Sequence, residues 1–259
     1  MNNRIDKLFE TKKEKILSIF YTAGFPKLND TMEIAIQLEK SGVDMIEIGI
    51  PFSDPIADGP TIQDSNKIAL DNGMNLKLLI QQVKEIRKKV SMPIILMGYI
   101  NPVMQYGFEQ FVKDAKEAGA DGFILPDLPL AEYQEHYQQI VEAHGLLNIF
   151  LISPTTSDER IRMIDQVSSG FIYAVSSSST TGTKTGFSAE QELYFNRLKK
   201  MKLRNPFLIG FGVSNRETFN AVCHHSSGAI VGSAFIKLLK KSKDFNADIY
   251  HFTKPFQNN

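Results

Sequence analysis

Three carboxylates stand within twelve residues of one another, at Glu47, Asp54 and Asp58. The segment holding the first reads as a short strand, and its alternation separates two faces. Ile46, Ile48 and Ile50 share one face and are expected to pack against helices. Met45, Glu47 and Gly49 share the other, which turns Glu47 inward near the C-terminal end of the strand. A carboxyl buried there is costly unless it is paired or used. Burial favours its neutral form and raises its pKa, which makes a proton donor near neutral pH. An internal ion pair is the competing role. Asp58 follows in a stiff loop of three prolines and two glycines, residues 49–60. It can cap a helix starting near Thr61, or it can bring a second carboxylate over the same opening.

A second set of residues suits an anion. Gly210-Phe211-Gly212 follows one apolar run, and Gly232-Ser233-Ala234 ends another and opens a short helix. Glycines there let backbone N–H groups approach a phosphate, and the start of the helix adds its positive end. Thr181-Gly182, in the Ser/Thr-rich stretch 176–185, can close over such a site as a lid. Tight strand-to-helix packing is the other use for these glycines.

The elements that must position these groups repeat along the chain. Eight short apolar runs, at 17–21, 45–48, 94–97, 123–125, 149–152, 171–175, 207–209 and 229–231, alternate with amphipathic stretches such as 30–40, 76–90, 108–118, 132–143, 157–167 and 214–224. Ser41-Gly42-Val43-Asp44 and Ala118-Gly119-Ala120-Asp121 each carry the chain from a helix into a strand, with the glycine in the left-handed conformation that ends a helix. Ser169-Gly170 and Ser227-Gly228 occupy equivalent places. Eight such units in 259 residues predict an α/β fold, a (β/α)8 TIM barrel forming one domain over residues 1–259. A covering helix is expected at the N-terminus, with Ile5, Leu8 and Phe9 on one face, and a short extra helix after the eighth strand. In a barrel the carboxylates and the glycine turns all fall at the C-terminal mouth, where active sites sit.

Composition narrows the partners. Lys plus Arg and Asp plus Glu are 29 each, so no basic excess calls for nucleic acid or an anionic membrane. No apolar run is long enough to span a bilayer. The first fifteen residues are charged throughout and lack a secretory core, so a cytoplasmic protein is expected. Cys223 is the single cysteine, and no His/Cys cluster has metal-ligand spacing, so no metal is expected. A small phosphorylated metabolite suits the mouth; composition and spacing do not name the reaction.

Residues 46–63, from Ile46-Glu47-Ile48-Gly49-Ile50-Pro51-Phe52-Ser53-Asp54-Pro55-Ile56-Ala57-Asp58-Gly59-Pro60 to Gln63, closely resemble the signature of tryptophan synthase α-chains. The resemblance continues through Tyr21-Thr22-Ala23-Gly24, Tyr99-Ile100-Asn101-Pro102, Leu125-Pro126-Asp127-Leu128-Pro129, Ser153-Pro154-Thr155-Thr156, Gly210-Phe211-Gly212 and Gly232-Ser233-Ala234, in family order. It implies a retro-aldol cleavage of indole-3-glycerol phosphate to indole and glyceraldehyde 3-phosphate. Glu47 matches the family's acid/base residue, and Asp58 the residue that hydrogen-bonds the indole N–H. Gly182, Gly212, Gly232 and Ser233 match the phosphate cradle. Phe20, Ile62, Tyr99, Ile124, Tyr173 and Phe211 match or adjoin the indole pocket, and Thr181 matches a lid residue. The resemblance further implies a pyridoxal-phosphate β-chain as partner in an α2β2 heterotetramer, with no cofactor in this chain. Ser179 stands where the sixth loop of the family usually has glycine.

Three rival readings remain at this level. One is a barrel that isomerises or condenses another sugar phosphate, against which residues 47–63 argue. The others are a stand-alone indole-3-glycerol-phosphate lyase and a non-catalytic activator of a β-chain; the presence of both Glu47 and Asp58 argues against the latter.

Overall fold

Parallel strands wrapped by helices dominate the computed structural model, which describes residues 3–176 and 187–257. The strands among these are β1 (Ile16–Thr22), β2 (Met45–Gly49), β3 (Ile94–Met97), β4 (Gly122–Ile124), β5 (Leu147–Asn148), β6 (Leu151–Ile152), β7 (Ile172–Val175), β8 (Phe207–Gly210) and β9 (Gly228–Val231). Their spatial order is β5-β4-β3-β2-β1-β9-β8-β7-β6, and every pairing is parallel.

The expected fifth strand, 149–152, is two pieces that begin earlier, at Leu147. β5 pairs with β4, and β6 pairs with β7. Between them the Ile149 N–H bonds to the Phe123 carbonyl at 3.0 Å, and the Phe150 carbonyl accepts from the Tyr173 N–H at 2.9 Å. The chain thus pairs on one side with β4 through its first half and on the other with β7 through its second. Inward alternation survives the break: Leu147, Ile149 and Leu151 all join the inner apolar cluster. The two ends of the sheet are thus successive residues of one chain, and they close the eight-unit barrel.

The inner cluster holds Ile16, Met45, Ile95, Ile124, Tyr173, Leu208 and Ile230, and the larger outer one joins Ile46, Ile48 and Ile50 to the helices. The faces of β2 therefore separate as its alternation predicts. Helix Arg4–Thr11 closes the N-terminal end. Ile5 and Phe9 enter the inner cluster, with Leu8 against its edge and Phe9 5.7 Å from Phe171 between ring centres. Burying such side chains contributes roughly 1.5–3 kcal/mol each. Asn3 caps this helix, accepting from the Ile5 N–H at 2.9 Å.

The two repeats ending in aspartate work alike. Asp44 accepts from the Leu17 N–H and from Lys12. Asp121, almost wholly buried, accepts from the Ile94 N–H, Arg87 and Arg4. Each aspartate ties the start of its own strand to the start of the preceding one. Gly42, Gly119 and Gly170 have positive φ, as expected of helix ends. Gly228 differs: it lies in β9 without positive φ, and a side chain there would run into the Ile16 backbone. Its role is close strand approach rather than a left-handed turn.

The short helix after the last strand is Ser233–Lys241, and Phe245–Gln257 completes the outer layer. No helix among the described residues is long and apolar enough to cross a membrane.

Candidate active site at the barrel mouth

Glu47 is 0% exposed on the inward face of β2. The Ser18 hydroxyl, on neighbouring β1, donates to its Oε1 at 2.8 Å. Oε2 is buried and has no hydrogen-bond partner among the described residues. Burial pushes this carboxyl from the ordinary 4.5 up to about 8, against the opposing pull of the Ser18 hydrogen bond. Among the described residues Glu47 has no ion-pair partner. A carboxyl balanced near neutral pH with one free oxygen can give up and take back a proton.

Asp58 does not cap the following helix. That helix begins at Pro60, with Gly59 as its N-cap and no side-chain cap bond. The carboxyl of Asp58 instead lies about 3.5 Å from the Asn66 amide and accepts from the Tyr99 hydroxyl. Tyr99 in turn accepts from the Ala57 N–H at 3.0 Å, so one ring fixes the loop at both residues. Burial raises the Asp58 pKa, and the Tyr99 and Asn66 hydrogen bonds lower it. Those two donors favour the ionised form within a partly dry site. Tyr99 itself is pushed up to about 12, chiefly by burial.

A cavity at the mouth takes in Asp58, Asn66 and Tyr99, while the fully buried Glu47 is not part of its wall. Phe20, Ile62 and Phe211 also line the cavity, with Gly49, Met97, Gly98, Pro126 and Leu151 among the rest of its wall. It is mostly apolar with a few polar groups at one side, the usual character of a small-molecule site. A wider groove between helices Asp158–Val167 and Ala189–Met201, lined by Asp158, Arg162 and Arg197, lies on the outside of the barrel. It contains neither Glu47 nor Asp58.

Two expected pocket residues sit deeper than the cavity wall. Ile124 is fully buried in the inner cluster and packs as core. Tyr173 is also in that cluster, edge-on to Phe211 with ring centres 6.3 Å apart. Its hydroxyl occupies the space where a side chain on Gly210 would be. Burial, and then the charges of Glu47 and Asp58, raise its pKa. Tyr173 is thus within electrostatic reach of both carboxyls.

Opposite the acids, Phe211 and Gly212 both have positive φ, at 66° and 80°. The Ser176 hydroxyl holds this turn by donating to the Phe211 carbonyl at 2.6 Å. Positive φ at a phenylalanine is strained backbone, retained here in the turn that follows β8. Gly232 is the N-cap of Ser233–Lys241, and a Cβ on it would stand 3.5 Å from the Phe20 ring. The start of that helix therefore borders the cavity. Thr181, Gly182 and Ser179 lie outside the described residues. Among the described residues, no group of three or more His, Cys, Asp or Glu could hold a metal ion.

Residues 7–257 match the family described as tryptophan synthase alpha chain. The chain belongs to that family. The tryptophan synthase alpha chain of Flavobacterium psychrophilum is 58% identical over 240 residues, covering 93% of this chain and 94% of that one. The crystal structure of tryptophan synthase subunit alpha from Legionella pneumophila superposes with a TM-score of 0.88 at 36% identity, covering 98% and 97%. A tryptophan synthase complex from Pyrococcus furiosus gives a TM-score of 0.86 at 35% identity, covering 95% and 98%. Tryptophan synthase alpha chains cleave indole-3-glycerol phosphate, and this lyase reaction is the activity of the chain.

Two polar residues of this alpha chain's site were missed by sequence reasoning. Asn66 reaches Asp58 from the helix that follows it, a spacing of eight residues that nothing in the local pattern marks. Ser18 was legible in principle. It is the polar residue between Ile16 and Phe20 on the inward face of an otherwise apolar strand.

Proposed function

We propose that Glu47 is the general acid/base of the cleavage and that Asp58 is the hydrogen-bond acceptor for the indole N–H. In this reading protonated Glu47 delivers its proton to C3 of the indole ring. The ring becomes an indolenine, and its positive nitrogen lies against the Asp58 carboxylate. The Glu47 carboxylate then accepts the proton of the side-chain hydroxyl. That carbon becomes the aldehyde, the bond to C3 breaks, and its electron pair returns to the ring. Indole and glyceraldehyde 3-phosphate leave, and Glu47 ends protonated as it began. The ring is the electron sink, so the step needs no Schiff-base lysine or metal. The observation that carries this reading is the buried Oε2 of Glu47, without a partner among the described residues, on the strand whose next inward residue, Gly49, lines the cavity together with Asp58.

The phosphate is assigned to the backbone at Gly212, Gly232 and Ser233, with Gly182 from the sixth loop and Thr181 as a lid contact. The start of Ser233–Lys241 supports this by its position beside Phe20. Phe20, Ile62, Tyr99 and Phe211 hold the indole ring, while Ile124 and Tyr173 shape the floor beneath it. The chain 1–259 works as one domain. Its partner is a tryptophan synthase β-chain in an α2β2 assembly, and pyridoxal phosphate belongs to that partner. An exposed apolar side chain on the mouth loop, Ile56, supports a partner on this side.

The test is indole release from indole-3-glycerol phosphate by the full chain, alone and with the β-chain. Glu47→Gln is expected to lose about 10²–10⁴ in rate with its circular dichroism unchanged. Asp58→Asn is expected to be severely impaired as well. Near-normal cleavage by Glu47→Gln would remove Glu47 from the mechanism.

A further inference from the structure

We propose that Ser18 is the positioning residue of Glu47: its hydroxyl holds Oε1, so that the proton exchanged with substrate resides on Oε2. This inference rests on the acid/base reading of Glu47 and deepens it.

Strand alternation brings the two residues together. Ile16, Ser18 and Phe20 share the inward face of β1. In the register of β1 and β2, Ser18 is opposite Met45 and Phe20 is opposite Glu47. Ser18 therefore lies one inward step below Glu47, toward the N-terminal floor of the barrel. Its bond at 2.8 Å draws Oε1 downward, away from the mouth. Ser18 is itself fully buried, so its hydroxyl would be costly without this partner. An oxygen that already accepts a hydrogen bond is the less basic of a carboxyl's two, so the proton settles on the other. That other oxygen is the buried atom without a partner among the described residues.

The surroundings leave Ser18 little competition. The inward neighbours on β1 and β3 are Ile16, Phe20, Ile95 and Met97, none of which carries a charge. The titratable group that faces Glu47 is Tyr173, whose phenol feels the charge of Asp58 as well. Burial raises the Glu47 pKa, and the Ser18 bond is the one cause acting to lower it. Neither Ser18 nor Glu47 is part of the cavity wall; Ser18 acts through its bond to Glu47, so its contribution should appear in turnover rather than in substrate binding.

The experiment combines pH profiles of indole release with a 13C NMR titration of the Glu47 carboxyl in the full chain. In the wild type, kcat is expected to fall above about pH 8, as the acid is lost. Ser18→Ala should move that limb up by about one unit. It should also lower kcat about tenfold, leave KM within about twofold, and shift the carboxyl titration in parallel. Ser18→Thr keeps the hydroxyl on a side chain suited to a strand and should restore both the limb and kcat. Ser18→Cys, a close match in size with a weak donor, should resemble Ser18→Ala and serves if the alanine variant does not fold. An unmoved limb and titration in Ser18→Ala or Ser18→Cys would overturn the proposal, as would equal losses in Ser18→Thr. Near-normal cleavage by Glu47→Gln would instead overturn the acid/base reading. The carboxyl titration would still report whether Ser18 holds Oε1.

Discussion

The two carboxyls at the mouth differ in solvation, and in the proposed reaction that difference divides their chemistry. Glu47 is wholly buried with one hydrogen bond, while Asp58 has two donors and a partly open setting. The first is held neutral up to about pH 8; the second is also raised by burial, but its two donors work against that and favour its anion. The same burial has a cost in stability. The folded pKa of Glu47 lies above its unfolded value, so between about pH 4.5 and about pH 8 the folded chain keeps a proton that the unfolded chain releases. Stability from this group is therefore fully present below pH 4.5 and declines as pH rises toward 8. Glu47→Gln removes the titration. Urea unfolding should show this variant gaining on the wild type as pH is raised from about 5 to about 8. A constant difference across that range would mean Glu47 is not held neutral by burial.

Among the elements, the N-terminal helix Arg4–Thr11 shows how distant parts support the site. Its Ile5 and Phe9 fill the floor of the barrel, in the same apolar cluster as Met45 and Tyr173. That floor lies below the level at which Ser18 holds Glu47. Phe9→Ala leaves a cavity there and is expected to cost about 3–5 kcal/mol, read from the urea midpoint at constant m-value. The helix pattern of Ile5, Leu8 and Phe9 was legible in the sequence because periodicity reports burial directly. The split of the fifth strand was not. It depends on the ladders of β4 and β7, whose registers no local pattern encodes. Asp58 as a helix cap was a reasonable local expectation for an aspartate near a helix start. It fails because the Tyr99 hydroxyl, from beyond β3, and the Asn66 amide, from within the next helix, hold the carboxyl elsewhere.

At the scale of the whole molecule, the barrel carries its chemistry at one end and its covering helix at the other. The loop between β2 and helix Pro60–Asp71 connects the acid pair to the outer surface. Ile56, at its crest, is 86% exposed. An isolated exposed isoleucine is ordinary, but one placed on the loop that carries Asp58 suits a contact with the β-chain. Ile56→Asp is expected to weaken association with the β-chain about tenfold or more, measured by titration calorimetry. Cleavage by the isolated chain should persist. Unchanged affinity would move the interface away from this loop.

Sequence alone determined the family, the order of the β/α units and the inward direction of Glu47. Each of these follows from local pattern: a signature string, the alternation of apolar runs with amphipathic helices, and the period of two along a strand. Tertiary structure decided which groups meet. It brought Ser18 beneath Glu47, Tyr99 and Asn66 onto Asp58, and the start of Ser233–Lys241 beside Phe20, across separations in the chain from eight residues to more than two hundred. It also left one oxygen of Glu47 buried without a partner among the described residues. Solvation and hydrogen bonding depend on every neighbour in space, so the pKa of that carboxyl emerges only when the barrel has closed around it.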